Sequence, residues 1–160
     1  MNVDDIRTAG IIGAGIMGHG IAQALASAGY DVTVTDANPA TLNSARRRVE
    51  RNLGAFVDAG LLAAADVPKI LGRIHTSPSL EQTACSADII IEAATEDQNL
   101  KRELFNRLDA VCPARTILCS NSSSLLISEI ATETKRQDRC ILNHRMNTPH
   151  IMPAAEDIPG

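Results

Sequence analysis

The sequence predicts an α/β fold: a doubly wound parallel sheet with a small helical insertion after the second strand. Three observations predict it. The glycines Gly13, Gly15 and Gly18, spaced G-x-G-x-x-G, follow an apolar run "TAGII" and open a run of helical character. A second strand-like run, "DVTVTD", ends at Asp36, 18 residues beyond Gly18. From there on, apolar runs of strand length alternate with runs of helical period, the pattern of βαβ units.

Taken in order, "IMGHGIAQALASAG" is helical and closes at Gly29, just past a helix end, where a residue without Cβ is best accommodated. Val32 and Val34 alternate as in a strand. In "NPATLNSARRRVERNLGAFVDAG", Leu42, Ala45, Val49, Leu53 and Phe56 recur at spacings of three and four, so this is a long amphipathic helix. Asn38 stands as its N-cap and Pro39 at its first position. "LLAAADVPKIL" is a shorter helix and "GRIHTSP" a short strand, so the link between the second and third strands holds more than one helix. "ADIIIEAA" is continuously apolar, as expected when both faces of a parallel strand are covered. "NLKRELFNRLDAVC" carries Leu100, Leu104, Leu108 and Val111 on one helical face. "RTILCS" is a strand, "SLLISEIAT" a short helix, and "RCILNH" a strand ending at His144.

The 160 residues suit one domain, with 44% hydrophobic and 21% charged residues. A formal net charge of −4 and an aromatic content of 2% argue against a nucleic-acid partner, which needs a basic field or stacking surfaces. No apolar run approaches the ~18 residues of a membrane span, and "MNVDDIRTAG" has no signal-peptide character. Cys85, Cys112, Cys119 and Cys140 form no C-x-x-C pair. They read as reduced, mostly buried thiols of a cytoplasmic protein, with no metal site.

The glycine pattern has a specific meaning in this setting. Gly13 permits a tight turn, Gly15 lets backbone approach a pyrophosphate, and Gly18 lets helix pack on strand. The backbone at Ile16 and Met17, in the first helical turn, joins the cradle, and the positive helix end attracts the anion. Asp36 then accepts the ribose hydroxyls of an adenosine and repels a 2′-phosphate, which favours NAD as cofactor. His19, one residue past the glycines, reads as a packing or surface residue, and His75 as structural.

Several blocks together resemble the NAD-binding Rossmann domain of the L-3-hydroxyacyl-CoA dehydrogenases, a superfamily shared with L-gulonate dehydrogenase, carnitine dehydrogenase and lambda-crystallin. They are "IIGAGIMGHGIAQALASAGYDVTVTD", "ADIIIEAATEDQNLKRELFNRLD", "SNSSSL" and "HRMNTPHIMPAAE", in that order and spanning nearly the whole chain. The resemblance implies oxidation of a 3-hydroxyacyl-CoA to its 3-keto form in fatty acid metabolism. It assigns Glu96 and Lys101 to the nicotinamide-ribose side of the cofactor, Ser123 to both nicotinamide and substrate oxygen, and Asn147 to the cofactor and the catalytic base. His144 matches that base and Glu156, 12 residues on, its carboxylate partner. Imidazole chemistry suits the role, because a group titrating near neutrality accepts a proton in one direction and returns it in the other.

The chain also departs from the family pattern. Thr148 replaces a proline, and Ala154, Ala155 and Asp157 replace aliphatics, so the strand around Glu156 is expected to be weak or frayed. Arg145, beside the base, is expected to point to solvent. Arg46, Arg47, Arg48 and Arg51 read as a solvated basic helix face. Asn52 and Ala59 stand where the family presents a Ser and a Lys to the CoA moiety. A free 3-hydroxy acid therefore stays open as substrate beside the CoA thioester, and an NAD-binding module without turnover is a further reading. The family's helical dimerisation domain is expected to be absent from the 1–160 unit, leaving either a homodimer or a missing helical partner to complete it.

Overall fold

The computed structural model describes residues 3–152 and 154–160. Met1, Asn2 and Pro153, which belong to segments discussed above, lie outside them. The expected order of elements is present, with one short helix added: β1 (Thr8–Ile12), α1 (Ile16–Ser27), β2 (Asp31–Thr35), α2 (Pro39–Asp58), α3 (Val67–Gly72) and β3 (Ile74–Thr76). They are followed by α4 (Leu80–Ala84), β4 (Ile89–Glu92), α5 (Gln98–Val111), β5 (Ile117–Ser120), α6 (Ile127–Ile130), β6 (Cys140–Arg145) and β7 (Ala155–Pro159).

The seven strands form one sheet in the order β3-β2-β1-β4-β5-β6-β7. All neighbours are parallel except β6 and β7, which pair antiparallel. The chain leaves β1 in one direction and returns at β4 on the other side of it. That reversal opens a crevice at the C-terminal ends of β1 and β4, where doubly wound sheets take their ligands.

Each central strand faces two cores. Ile91 and Cys119 pack with Ile11, Val32, Val34 and the α1–α3 side, whereas Ile90 and Leu118 pack with Phe105, Leu108 and Ile130 on the other. This double burial is why β4 reads as continuously apolar. The helical insertion is α2 and α3. Asn38 caps α2 by accepting hydrogen bonds from the Ala40 and Thr41 N–H groups, and Leu42, Ala45, Val49 and Leu53 are its buried stripe. The five-residue α4, capped by the Ser79 hydroxyl, is too short to show a period and was not anticipated.

Three expectations require correction. The α5 stripe is rotated: Lys101, Leu104, Phe105 and Leu108 are buried, while Leu100 is exposed at 36%. Beside the apolar residues of this face, Lys101 reaches Glu92 at the end of β4, which accepts from its Nζ with both oxygens. On the insertion's basic face Arg46, Arg47 and Arg51 are exposed as expected, but Arg48 is half-buried, and two of the four also bind backbone carbonyls. Arg46 donates to the carbonyls of Leu71 and Ile74, fastening α2 to α3 and β3. Arg48 donates to the carbonyls of Ala14 and Thr41 and to the Ser44 hydroxyl.

The third correction concerns β7, which is formed rather than frayed. Its residues are exposed, so burial does not hold it. It is held by a main-chain ladder to β6 and by side chains across it. Asn143 Nδ2 donates to Asp157 Oδ1 at 2.6 Å, and His144 sits opposite Glu156 in register. Strand propensity measures how side chains fit a half-buried pleat, so on an exposed edge it is easily outweighed by such pairs. Among the described residues no helix is long and apolar enough to cross a membrane.

Candidate active site

Two cavities open at the C-terminal edge of the sheet, and both are walled by Ala93 and Ala94, just after β4. The larger, about 480 Å³, runs from Gly13 and Gly15 past Asp36 to Leu104 and Arg107. The smaller, about 270 Å³, is lined by Met17, Glu96, Lys101, Ser123, His144 and Asn147, with Asn121 and Arg145 completing it.

In the glycine loop the three glycines play different parts. Gly13 has φ +101°, and a Cβ there would lie 2.5 Å from the Ala93 carbonyl oxygen. A Cβ on Gly18 would lie 1.7 Å from the Gly13 carbonyl oxygen, so α1 packs on the turn only because none is present. At Gly15 a Cβ would meet nothing within 4 Å; here the backbone borders open space. Gly15 is also the N-cap of α1 and provides no side-chain cap. The first-turn N–H groups, including those of Ile16 and Met17, are thus left for an anion. Asp36 is pre-set beside this loop. Its Oδ2 accepts the Ala14 N–H and its Oδ1 the Asn38 N–H, both at 2.7 Å. Each oxygen keeps a lone pair for a hydroxyl. Arg48 ties the insertion to the same loop through the Ala14 carbonyl at 2.8 Å.

Beneath the smaller cavity lies a buried network. Glu92, at 0% exposure, accepts from Lys101 Nζ at 2.7 and 2.8 Å, from the Ala94 N–H at 2.7 Å and from the Ser120 hydroxyl at 2.7 Å. Lys101 also faces Glu96 Oε2 at 3.3 Å. Glu96 Oε1 accepts from the Ser122 and Ser124 hydroxyls. Burial alone would raise the Glu96 carboxyl, but those hydroxyls and the Lys101 charge outweigh it and hold the group below its usual range.

Ser122, not Ser123, does the work of the turn before α6, since its oxygen accepts the Ser124 and Leu125 N–H groups. Ser123 is exposed, lines the smaller cavity, and its hydroxyl has no hydrogen-bond partner among the described residues. His144 Nδ1 meets Glu156 Oε2 at 3.2 Å. Arg145 does not point to solvent: it is half-buried, its Nε donates to Asn143 Oδ1 at 3.0 Å, and its N–H donates to Asn121 Oδ1. This is the sheet's alternation at work, with His144 and Glu156 on one face and Asn143, Arg145 and Asp157 on the other.

The expected cofactor and catalytic residues therefore gather around two adjoining cavities. Glu92 was not anticipated, although a glutamate closing the run "IIIE" nine residues before Lys101 is a visible signal. Among the other histidines, His19 is buried, with Nδ1 2.6 Å from the Gly15 carbonyl oxygen. Burial, with the nearby Arg48 charge, lowers its pKa despite that bond. His75 is exposed on the edge strand β3 and lines neither cavity.

Residues 8–160 match the family model for the 3-hydroxyacyl-CoA dehydrogenase NAD-binding domain. The chain belongs to this family. Among its relatives, a probable 3-hydroxybutyryl-CoA dehydrogenase of Bacillus subtilis is 41% identical over 98% of the chain, and the match covers 54% of that protein. The 3-hydroxybutyryl-CoA dehydrogenase of Clostridioides difficile is 37% identical over 94% of the chain and 53% of its own length. The crystal structure of (S)-3-hydroxybutyryl-CoA dehydrogenase from Ralstonia eutropha superposes with a TM-score of 0.92 at 38% identity, covering 97% of this chain and 54% of that one. The chain thus spans about half the length of the curated relatives it matches. Its fold is the family's Rossmann sheet and its cofactor is NAD. The glycine loop, open at Gly15 and flanked by the oriented Asp36 carboxylate, fits that cofactor.

Proposed function

We propose that this domain is the cofactor-and-base half of a 3-hydroxyacyl-CoA dehydrogenase, which interconverts the 3-hydroxyl and 3-keto forms of its substrate. In this reading the adenosine end of NAD lies along Asp36, the pyrophosphate on Gly13, Gly15 and Gly18 with Ile16 and Met17, and the nicotinamide ribose near Glu96 and Lys101. Ser123 and Asn147 border the reacting end. The observation that carries it is that His144, paired with Glu156, lines the same cavity as Ser123 and Asn147.

NAD, when bound, takes up the hydride; the chain's own residues handle the proton. With Nδ1 engaged by Glu156, Nε2 of His144 is the ring atom left to accept the alcohol proton. Glu156 fixes the ring's orientation and stabilises the imidazolium that results. In reduction the same proton returns to the keto oxygen. The Ser123 hydroxyl is unspent and available to that oxygen. A helical companion domain, or a second copy, covers the substrate, and the protein works in the cytoplasm, where its thiols stay reduced.

Titration with NADH, followed by fluorescence, is expected to show binding; none would sink the cofactor placement. Acetoacetyl-CoA reduction by the 160 residues alone is expected to be slow. His144→Ala should reduce it further by roughly 10²–10⁴-fold while leaving NADH binding intact. Turnover unchanged by His144→Ala would refute the base assignment.

A free 3-hydroxy acid is the second reading. It is favoured by the insertion, where Asn52 donates to Gln23 and where Arg46 and Arg48 reach backbone carbonyls, so that only two of its four arginines, Arg47 and Arg51, are left for phosphates. Comparing acetoacetate with acetoacetyl-CoA in the same assay separates the two.

A further inference from the structure

The smaller cavity holds more charge than proton transfer needs. Lys101, at 1% side-chain exposure, faces two carboxylates, Glu92 at 0% and Glu96 at 41%. Glu92 meets the ammonium with both oxygens, at 2.7 and 2.8 Å, against 3.3 Å for Glu96. One ammonium is thus shared by two carboxylates, so the group keeps a net negative charge, and Glu96, the more distant and the more exposed of the two, carries it to the cavity wall. The remaining partners of Glu96 are the neutral hydroxyls of Ser122 and Ser124, which fix its direction. Arg145 lines the same cavity, but its guanidinium turns back along β6 to Asn143, whose amide also holds Asp157. Its charge therefore lies on the face that carries the Asp157 carboxylate.

The oxidised nicotinamide ring is a cation and the reduced ring is neutral. We infer that Glu96, which shares its lysine with Glu92, shifts the redox preference of the site: it favours the oxidised cofactor relative to the reduced one. This rests on the nicotinamide end lying in the smaller cavity, as proposed above. The chemical logic is a fixed carboxylate whose attraction exists in one oxidation state only. Glu92 is then a positioning residue that acts through Lys101. Because Glu96 is partly solvated, its attraction is well below that of a buried pair.

The test is a set of dissociation constants for NAD⁺, NADH and ADP-ribose, which lacks the nicotinamide, measured by calorimetry on the full chain. Glu96→Gln keeps an acceptor for Ser122 and Ser124 and leaves the neutral Glu92–Lys101 pair in place. It is expected to raise the ratio Kd(NAD⁺)/Kd(NADH) by about three- to tenfold through weaker NAD⁺ binding, with ADP-ribose unchanged. Glu96→Asp, which retains the charge, should restore most of the wild-type ratio. In the wild type the ratio should also rise with added salt, because the charge is reachable by counterions; this reading needs no variant. An unchanged ratio in Glu96→Gln, equal weakening of both cofactors, or a salt-independent wild-type ratio would overturn the inference. Wild-type chain that binds ADP-ribose but shows no dependence on the nicotinamide would instead overturn the placement of the nicotinamide end.

Discussion

Replacing Lys101 by Met tests how the site is held together. The substitution keeps an apolar stem of similar length and removes the cation that Glu92 faces. Glu92, at 0% exposure, would keep the Ala94 N–H and Ser120 hydroxyl, each at 2.7 Å, and lose its two contacts to Nζ. Leaving a buried charge without its partner costs about 3–5 kcal/mol. For a domain of this size that corresponds to a fall in Tm of roughly 6–20 °C. Urea unfolding followed by far-ultraviolet circular dichroism measures it directly. The paired variant Glu92→Gln/Lys101→Met removes the charge as well: the amide oxygen can keep the Ala94 N–H and the amide nitrogen can donate to Ser120. It should recover most of the loss, and with Glu92→Gln alone completing the cycle the coupling energy should be about 2 kcal/mol or more. A single variant that loses less than about 1 kcal/mol, or a paired variant as unstable as the single one, would refute the claim that Lys101 is present to balance Glu92.

Other outcomes follow from single features. Gly15→Ala should leave the melting temperature near wild type and weaken NADH binding, because its Cβ enters open space where the cofactor approaches. Gly18→Ala should damage both, since its Cβ falls 1.7 Å from the Gly13 carbonyl oxygen; equal behaviour of the two variants would contradict the distinct roles. Asp88 is pulled from its ordinary 3.8 to about 2: burial opposes this, but the Arg7 and Thr8 N–H groups, the Thr8 hydroxyl and Arg115 outweigh it. A depressed carboxyl stabilises above its unfolded value and loses that contribution as pH falls through the folded one. Stability should therefore drop between about pH 4 and pH 2, and Asp88→Asn should flatten that drop in acid unfolding curves. Thiol titration of the native chain should label the exposed Cys85 quickly and Cys112, Cys119 and Cys140 slowly. Burial pushes the Cys112 thiol up to about 11 and raises Cys119 and Cys140 as well; rapid labelling of all four would show that the cores open readily.

Much of this molecule was readable in one dimension because the signals are local. Asn38 followed by Pro39 marks a helix start wherever it occurs, and the α2 stripe from Leu42 to Leu53 is a period that folding preserves. The glycine spacing and Asp36 are legible for a similar reason: a tight turn, a close approach and a strand-end carboxylate lie within one βαβ unit. Signals that depend on a distant neighbour were harder. Leu100 looks like part of the α5 stripe, yet Lys101 is buried instead because Glu92, on another element, receives it. Arg48 looks solvated until the glycine loop supplies a carbonyl for it, and the exposed Arg46 also reaches carbonyls of α3 and β3.

The segment that carries the proposed base divides in the same way. His144, Asn147 and Glu156 were visible as a spaced set, but the strand that brings Glu156 to His144 was expected to be weak, since the residues around Glu156 are poor strand formers. The antiparallel ladder to β6 overrode that weakness, placing Glu156 opposite His144 and Asp157 opposite Asn143. By itself the sequence determined the order of elements, the cofactor loop and the residue types available for proton transfer, because these depend on period, spacing and side-chain chemistry. The tertiary structure decided which charges neutralise one another and which remain exposed to a ligand. That depends on distances between strands and helices far apart in the chain, down to the difference between 2.7 Å and 3.3 Å around one buried ammonium.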